Sequence, residues 1–500
     1  MNEVPQPTGS HFLKISGWAL IALFILHCPD RHAAGANPLS SQKPNVIIIL
    51  ADDLGWAELG CYGNQFNETP HIDRLAHRGM RFTDAYAPAP VCSPTRAALL
   101  TGQYPARIGI LDYLRPDADN ALSPDTTTFA EILKSAGYAT GMIGKWHLSG
   151  YAHHGSSNEI RARDHGFDEE RVSEIKGVGN GANFYPYVFR DQKISWLNVD
   201  RKRLPGNEYL VDRMNVEAID FIERHSDGPF LLYLSHFATH SILHGKPSLV
   251  RKYLKKHKPG ESSRDKCYLC LDIGCDRDPG HHWAKDHNPH LAAMLESIDD
   301  GVGMITKKLD ELGLTDETLI VFTSDNGGES NVTRNGPLRA GKSSLYEGGI
   351  RVPMVVCWPA TVNTGQVCAE PVNIVDLYPT LLEAAGIAPN RRVTLDGVSW
   401  VPLFRNPLSK LARGPMYWHY PLKKPHFLGG RSSGAIRKGP WKLIEFFETG
   451  EVVLYNLTED IGERNDQAES YPQKTQALLR MLRDWRKTLE TDRTAKEKEP

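Results

Sequence analysis

The sequence predicts an α/β protein: a large, mixed but mostly parallel sheet flanked by helices, followed by a smaller antiparallel-sheet subdomain. Three observations carry this expectation. Residues 45–50 read Asn-Val-Ile-Ile-Ile-Leu, an apolar, β-branched run without polar alternation, as in a strand buried on both faces of a parallel sheet. Comparable runs recur at 139–143, 230–234 and 319–323, with helix-period segments between them. Beyond about residue 405 the pattern changes to short aromatic-rich runs.

In chain order, the apolar stretch Trp18 to Leu26 is too short to span a bilayer comfortably, follows Lys14 and precedes Ala34-Gly35-Ala36, a small-x-small cleavage pattern. Residues 1–36 are therefore expected to be a signal peptide and the protein to be exported, to a periplasm or the cell exterior. A lipoprotein anchor at Cys28 is the alternative, disfavoured because His27 stands where a small residue is required. No later apolar run is long enough to cross a membrane. A helix is expected over 127–136 with Gly137 as its stop, and a longer one over 290–312, striped by Leu291, Met294, Leu295, Ile298, Val302, Ile305 and Leu309. Runs at 441–446 and 452–455, separated by a turn containing Gly450, read as antiparallel strands. A closing helix follows Pro472, with Leu478, Met481, Leu482, Trp485 and Leu489 on one stripe. The expected division is 37–405 for the main domain, with an insertion at about 255–288, and 406–500 for the α+β subdomain.

Five hundred residues, 40% hydrophobic and 24% charged with a net charge of -2, supply a substantial core and no basic face for nucleic acid. Affinity for an anion must come from local groups. The strand runs end in such groups: Asp52-Asp53 after the first, Lys145-Trp146-His147 after the second, Ser235 through His240 after the third, and Asp325-Asn326 after the fourth. Ligands bind at the carboxyl edge of open α/β sheets, so these distant segments are expected to converge. Asp52, Asp53, Asp325 and Asn326 offer only oxygen donors, suited to a hard divalent cation such as calcium rather than zinc. Lys145 and His147, two apart, share a face if the chain there is extended.

Cys92-Ser93-Pro94-Thr95-Arg96, followed by Ala97-Ala98-Leu99-Leu100-Thr101-Gly102, reads as a helix start, with Pro94 at the first helical position and Gly102 as a left-handed stop. Residue 92 is then exposed at the helix N-terminus, where free N–H groups favour an anion. This segment resembles the modification signature of the formylglycine-dependent type I sulfatases of the alkaline phosphatase superfamily. Ala51-Asp52-Asp53-Leu54-Gly55, Gly144-Lys145-Trp146-His147-Leu148, Thr323-Ser324-Asp325-Asn326-Gly327-Gly328 and the stretch around Lys342 resemble other sulfatase segments, and the similarity runs from about Asn45 into the C-terminal part.

The resemblance implies an alkaline phosphatase-like fold and a sulfuric ester hydrolase in which a formylglycine-generating enzyme has oxidised Cys92. It implies that the hydrated aldehyde is the nucleophile, that Asp52, Asp53, Asp325, Asn326 and residue 92 ligate calcium, and that Arg96 stabilises the gem-diol. Lys145, His240 and Lys342 are implied to contact the sulfate and leaving oxygen, and His147 to handle protons at the gem-diol. The substrate expected from export and family habit is a sulfated carbohydrate. A phosphodiesterase or phosphonate hydrolase of the same superfamily, or a noncatalytic glycan-binding relative, are the alternatives.

With Cys28 removed and Cys92 modified, six cysteines remain: Cys61, Cys267, Cys270, Cys275, Cys357 and Cys368, an even number for which disulfides are expected with the pairing open. Cys267, Cys270 and Cys275, with His281, His282, His287 and His290, also have zinc-ligand chemistry, and the disulfide reading is preferred in an exported chain. Segments His419-Tyr420 and His426 to Arg431 are candidates for substrate contacts at the pocket mouth.

Overall fold

The computed structural model describes residues 43–150, 158–173, 181–189, 192–199, 201–256, 287–389 and 393–496. The expected signal peptide with Cys28, and the cysteines 267, 270 and 275 with His281 and His282, lie outside these residues.

Eight strands form the central sheet: β1 (Asn45–Ala51), β2 (Met80–Phe82), β3 (Ala139–Gly144), β4 (Glu169–Arg171), β5 (Phe230–Ser235), β6 (Thr318–Ser324), β7 (Met354–Cys357) and β8 (Gln366–Cys368). Their order is β8-β2-β7-β6-β1-β5-β3-β4. Strand β7 runs antiparallel to both of its neighbours, and the other pairs are parallel. The β-branched run of β1 is buried at every residue because helices cover both faces of the sheet. Val46, Ile48 and Leu50 pack with α2 (Cys92–Thr101), α3 (Phe129–Ser135) and α6 (Leu377–Ala384), whereas Ile47, Ile49 and Ala51 pack with α1 (Pro70–Arg78), α4 (Leu210–Arg224) and α5 (Pro289–Leu312).

Local chemistry sets the helix ends. Thr128 and Glu131 form a capping box on α3, and Gly137, at φ 92°, takes the left-handed stop. Asn288 caps α5 by accepting from the N–H groups of His290 and Leu291, Pro289 opens it, and Gly313 ends it.

The C-terminal strands β9 (Met416–Tyr420), β10 (Ser433–Lys438), β11 (Trp441–Phe446) and β12 (Val452–Asn456) form a separate antiparallel sheet in sequence order, with Gly450 at φ 70° in the last turn. One face packs Ile436, Leu443 and Leu454 against Leu478 and Leu482 of α7 (Pro472–Lys496). The other joins Trp418, Tyr420 and Ile444 to Tyr86, Val91 and Leu345.

Among the described residues no disulfide forms, contrary to expectation for Cys61, Cys357 and Cys368, which carry free thiols. Cys357 belongs to the core on one sheet face and Cys368 to the core on the other, so the sheet itself separates them. No helix of the described residues is long and apolar enough to cross a membrane.

Candidate active site

Four adjacent strands, β6, β1, β5 and β3, end on one row: Ala51 pairs with Ser324, Leu50 with Ser235, and Gly144 with Ser235. The residues just beyond that row are Asp52-Asp53, Asp325-Asn326, His236 and Lys145. Strand alternation turns Asp52, Asp325 and Ser235 toward the face that carries α2. The parallel sheet therefore brings together what the sequence spreads over nearly three hundred residues.

Asp52, Asp53, Asp325 and Cys92 are all buried, and one ligand atom from each lies within 4.8 Å of the others. The Asp53 N–H donates to Asp325 (3.2 Å), and Asn326 Nδ2 donates to Asp53 Oδ1 (2.8 Å). The other end of the Asn326 amide, Oδ1, is buried and has no hydrogen-bond partner. An orphaned carbonyl oxygen beside three carboxylates is the donor set of a hard cation, and the residues fit one.

The cations present are Arg96, Lys145 and Lys342. Arg96, fully buried, donates from Nε and Nη2 to Asp325 (3.0 and 2.6 Å) and from Nη1 to the Lys145 carbonyl (2.9 Å) and Ser235 Oγ (2.5 Å). Lys145 Nζ lies 2.5 Å from Asp52 Oδ2, and Lys342 Nζ lies 2.7 Å from Asp53 Oδ2. Burial and Asp325 push Asp52 up to about 7 against the pull of Lys145. Burial opposes ionisation of Asp53 and Asp325 too, but Lys342 and His240 hold Asp53 low, and Arg96 and Lys145 hold Asp325 low. With Asp52 ionised, three carboxylates against three side-chain cations leave a charge-balanced cluster. A divalent cation added to it makes the site net positive, the polarity an anionic ester needs.

Helix α2 begins at Cys92 itself, with Val91 as the N-cap, so Pro94 stands at the third helical position instead of the first. It remains in the first turn, where a missing N–H costs nothing. Gly102, at φ 67°, ends the helix as expected. Residue 92 is not exposed: it is 2% accessible, because the acid-bearing strand ends and the C-terminal sheet close over the helix start. Cys92 Sγ contacts Asp52 Oδ1 at 3.4 Å, and burial together with Asp52 raises the thiol well above its ordinary pKa.

Lys145 and His147 both reach this region, but not along an extended chain. Gly144 has φ 101°, a Cβ there would meet the Ser235 carbonyl at 2.0 Å, and His147 itself has φ 55°. His147 Nε2 lies 3.1 Å from the Leu114 carbonyl, and burial with Lys145 and Arg96 holds its imidazole neutral. His240 Nε2 lies 3.7 Å from Asp53, its Nδ1 faces the Ser241 carbonyl, and burial with Lys342 lowers it to about 3.

Sequence reasoning assigned no role to Ser235, which takes the Arg96 hydrogen bond and passes one to the Lys145 carbonyl (2.7 Å). Its signal was available, because it occupies the same strand-end row as the acids. Leu114 carried no signal; its N–H donates to Ser93 Oγ (2.9 Å), and its carbonyl meets His147. Of the candidate substrate contacts, His419 meets Phe447 (ring centroids 5.5 Å apart) and Arg431 pairs with Glu451 (2.9 Å), whereas Tyr420 and His426 are buried.

The Sulfatase family model matches residues 44–387, and the model of the N-sulphoglucosamine sulphohydrolase C-terminal region matches residues 340–491. The chain is 32% identical over 465 residues to steryl-sulfatase of Mus musculus, spanning 76% of this chain and 68% of that one. It is 33% identical over 419 residues to N-acetylgalactosamine-6-sulfatase of Canis lupus familiaris, spanning 77% and 70%. Among solved structures, Ps i-CgsB in complex with k-i-k-neocarrahexaose superposes with a TM-score of 0.73 at 31% identity, spanning 89% of this chain and 93% of that one.

Proposed function

We propose, because this chain belongs to the sulfatase family, that it removes sulfate from a sulfated carbohydrate, with formylglycine at position 92 and calcium beside it. The observation that carries the reading is the convergence of Asp52, Asp53, Asp325 and residue 92 within 4.8 Å, with the unpartnered Asn326 oxygen beside them and Lys145 and Lys342 alongside. Carbohydrate is favoured because N-acetylgalactosamine-6-sulfatase and the oligosaccharide-bound Ps i-CgsB are among the similar proteins.

As a sulfate ester breaks, negative charge builds on the bridging oxygen, so fixed cations stabilise the transition state more than the substrate. Asp52, Asp53, Asp325 and Asn326 would hold the calcium ion, which when bound would supply part of that field. Lys145 and Lys342 supply the rest from side chains whose positions Asp52 and Asp53 already fix. Arg96 holds Asp325 and the Lys145 backbone in register and so preorganises the acids. The unmodified thiol of Cys92 is kept protonated by burial and Asp52, which makes it a poor nucleophile. A hydrated aldehyde at that position would supply one hydroxyl to attack sulfur as the alcohol leaves, and a second whose deprotonation would re-form the carbonyl as the bond to sulfate breaks. His147, neutral, is suited to take that second proton. An anionic ester beside Lys342 raises the proton affinity of His240, which then gives a proton to the leaving oxygen.

The apolar stretch Trp18 to Leu26 supports the reading of an exported enzyme, matured by a formylglycine-generating enzyme. The test is inorganic sulfate release from sulfated oligosaccharides by purified protein. Chelation with EGTA is expected to abolish release and calcium to restore it. Unchanged turnover after chelation, or phosphate diesters cleaved far faster than sulfate esters, contradicts the reading.

A further inference from the structure

Two buried polar atoms beside this site have no hydrogen-bond partner: the Tyr420 hydroxyl and His426 Nε2. Tyr420 is 1% and His426 9% accessible, so water does not readily serve either group. Both lie within electrostatic reach of Lys342, and Tyr420 also of Tyr113 and Cys92. Tyr420 packs in one cluster with Val91, the residue before Cys92, and with Leu345. The His426 ring meets Tyr113 edge-on at 5.9 Å, and Tyr113 precedes Leu114, which is tied to Ser93 and His147.

The loop that carries His426 is fixed from the opposite side. The His426 N–H donates to the Gly430 carbonyl (2.8 Å), and Gly430 lies so close to Ser343, next to Lys342, that a Cβ there would meet the Ser343 carbonyl at 1.9 Å. The Leu428 N–H donates to His426 Nδ1 (3.2 Å), so the neutral ring carries its proton on Nε2. Burial and Lys342 hold that ring down to about 4, which keeps it neutral in ordinary buffers. Phe427 stacks on His426 with ring centroids 4.3 Å apart and is 79% exposed, offering an apolar face beside that ring.

We infer that Tyr420, His426 and Phe427 form the subsite for the sugar ring that leaves on hydrolysis. His426 Nε2–H donates to a hydroxyl or ring oxygen, the Tyr420 hydroxyl pairs with a second hydroxyl, and Phe427 covers one face of the ring. The inference rests on the sulfatase reading above and narrows its substrate class. A fused hydrocarbon leaving group such as a sterol leaves both polar atoms unpartnered, whereas a polyhydroxylated ring satisfies them. Sites built to hydrogen-bond a hydroxyl reject the analogue that lacks it.

The experiment compares kcat/KM for a panel of galactose and N-acetylgalactosamine sulfates, dehydroepiandrosterone sulfate and para-nitrophenyl sulfate. The wild type is expected to favour a sugar over the steroid. Tyr420→Phe and His426→Phe are expected to lower kcat/KM on that sugar roughly tenfold or more beyond any loss on para-nitrophenyl sulfate. His426→Gln, which keeps an N–H donor, is expected to recover part of the difference. Equal losses on both substrates, no loss on the sugar, or a wild type that prefers the steroid overturns the subsite. Wild-type turnover of para-nitrophenyl sulfate separates that failure from failure of the sulfatase reading: if no ester releases sulfate, both fall.

Discussion

Asp52, Asp53, Asp325 and Asn326 were legible in the sequence because acids directly after buried β-branched runs have few structural reasons to be there. Cys92 was legible through its flanks, but its burial was not: the strand ends and C-terminal sheet that cover it come from separate, sequence-distant segments. That burial changes what a substitution means. Cys92→Ala removes the buried group at position 92 that becomes the nucleophile, so it is expected to abolish sulfate release while costing about 1 kcal/mol of stability, measured by denaturant unfolding. Refolding to a wild-type unfolding midpoint with residual full activity is the contrary outcome. His240 makes a sharper test, because a proton donor matters most when the leaving alcohol is a weak acid. His240→Ala is expected to reduce kcat on a sugar sulfate much more than on para-nitrophenyl sulfate; equal reduction on both removes the proton-donor role.

Elements were legible where one signal decided them, as in the capping box of α3 or the Asn288-Pro289 start of α5. The path after β3 was not, because it depends on the Ser235 carbonyl of a neighbouring strand that only Gly144 can approach. The junction between the two sheets was equally hidden. There Lys442 is shared by Glu347 (2.8 Å) and Glu463 (2.9 Å), all three fully buried. Lys442 and Arg351 hold Glu347 low against its burial, while burial pushes Glu463 from 4.5 up to about 7. The folded state thus binds the Glu463 proton more tightly than the unfolded chain. The stability it lends is complete below its unfolded pKa and is lost as pH rises through about 7. Glu463→Gln is expected to flatten the fall in melting temperature between about pH 5 and pH 8. Parallel curves for the two proteins would remove Glu463 as the cause.

At the scale of the molecule, the charged cluster at the sheet's carboxyl edge is a stability cost that function explains, since buried ion pairs rarely outperform packed apolar groups. The C-terminal sheet is bound to the main body by groups with little access to water: Trp418 Nε1 donates to the Ala87 carbonyl (2.8 Å), Arg437 pairs with Asp84 (2.7 Å), and Lys442 with Glu347. The two sheets are accordingly expected to unfold in one calorimetric transition; two resolved transitions would show that these links do not couple them. All of this architecture serves the atom at the start of α2. The most direct measurement is mass spectrometry of the tryptic peptide spanning residues 82–96 from protein made in its native host. The expected peptide is lighter than the encoded one by the difference between a thiomethyl and an aldehyde group, and it reacts with a carbonyl reagent. A fully unmodified thiol at Cys92 in protein that still releases sulfate would contradict the mechanism.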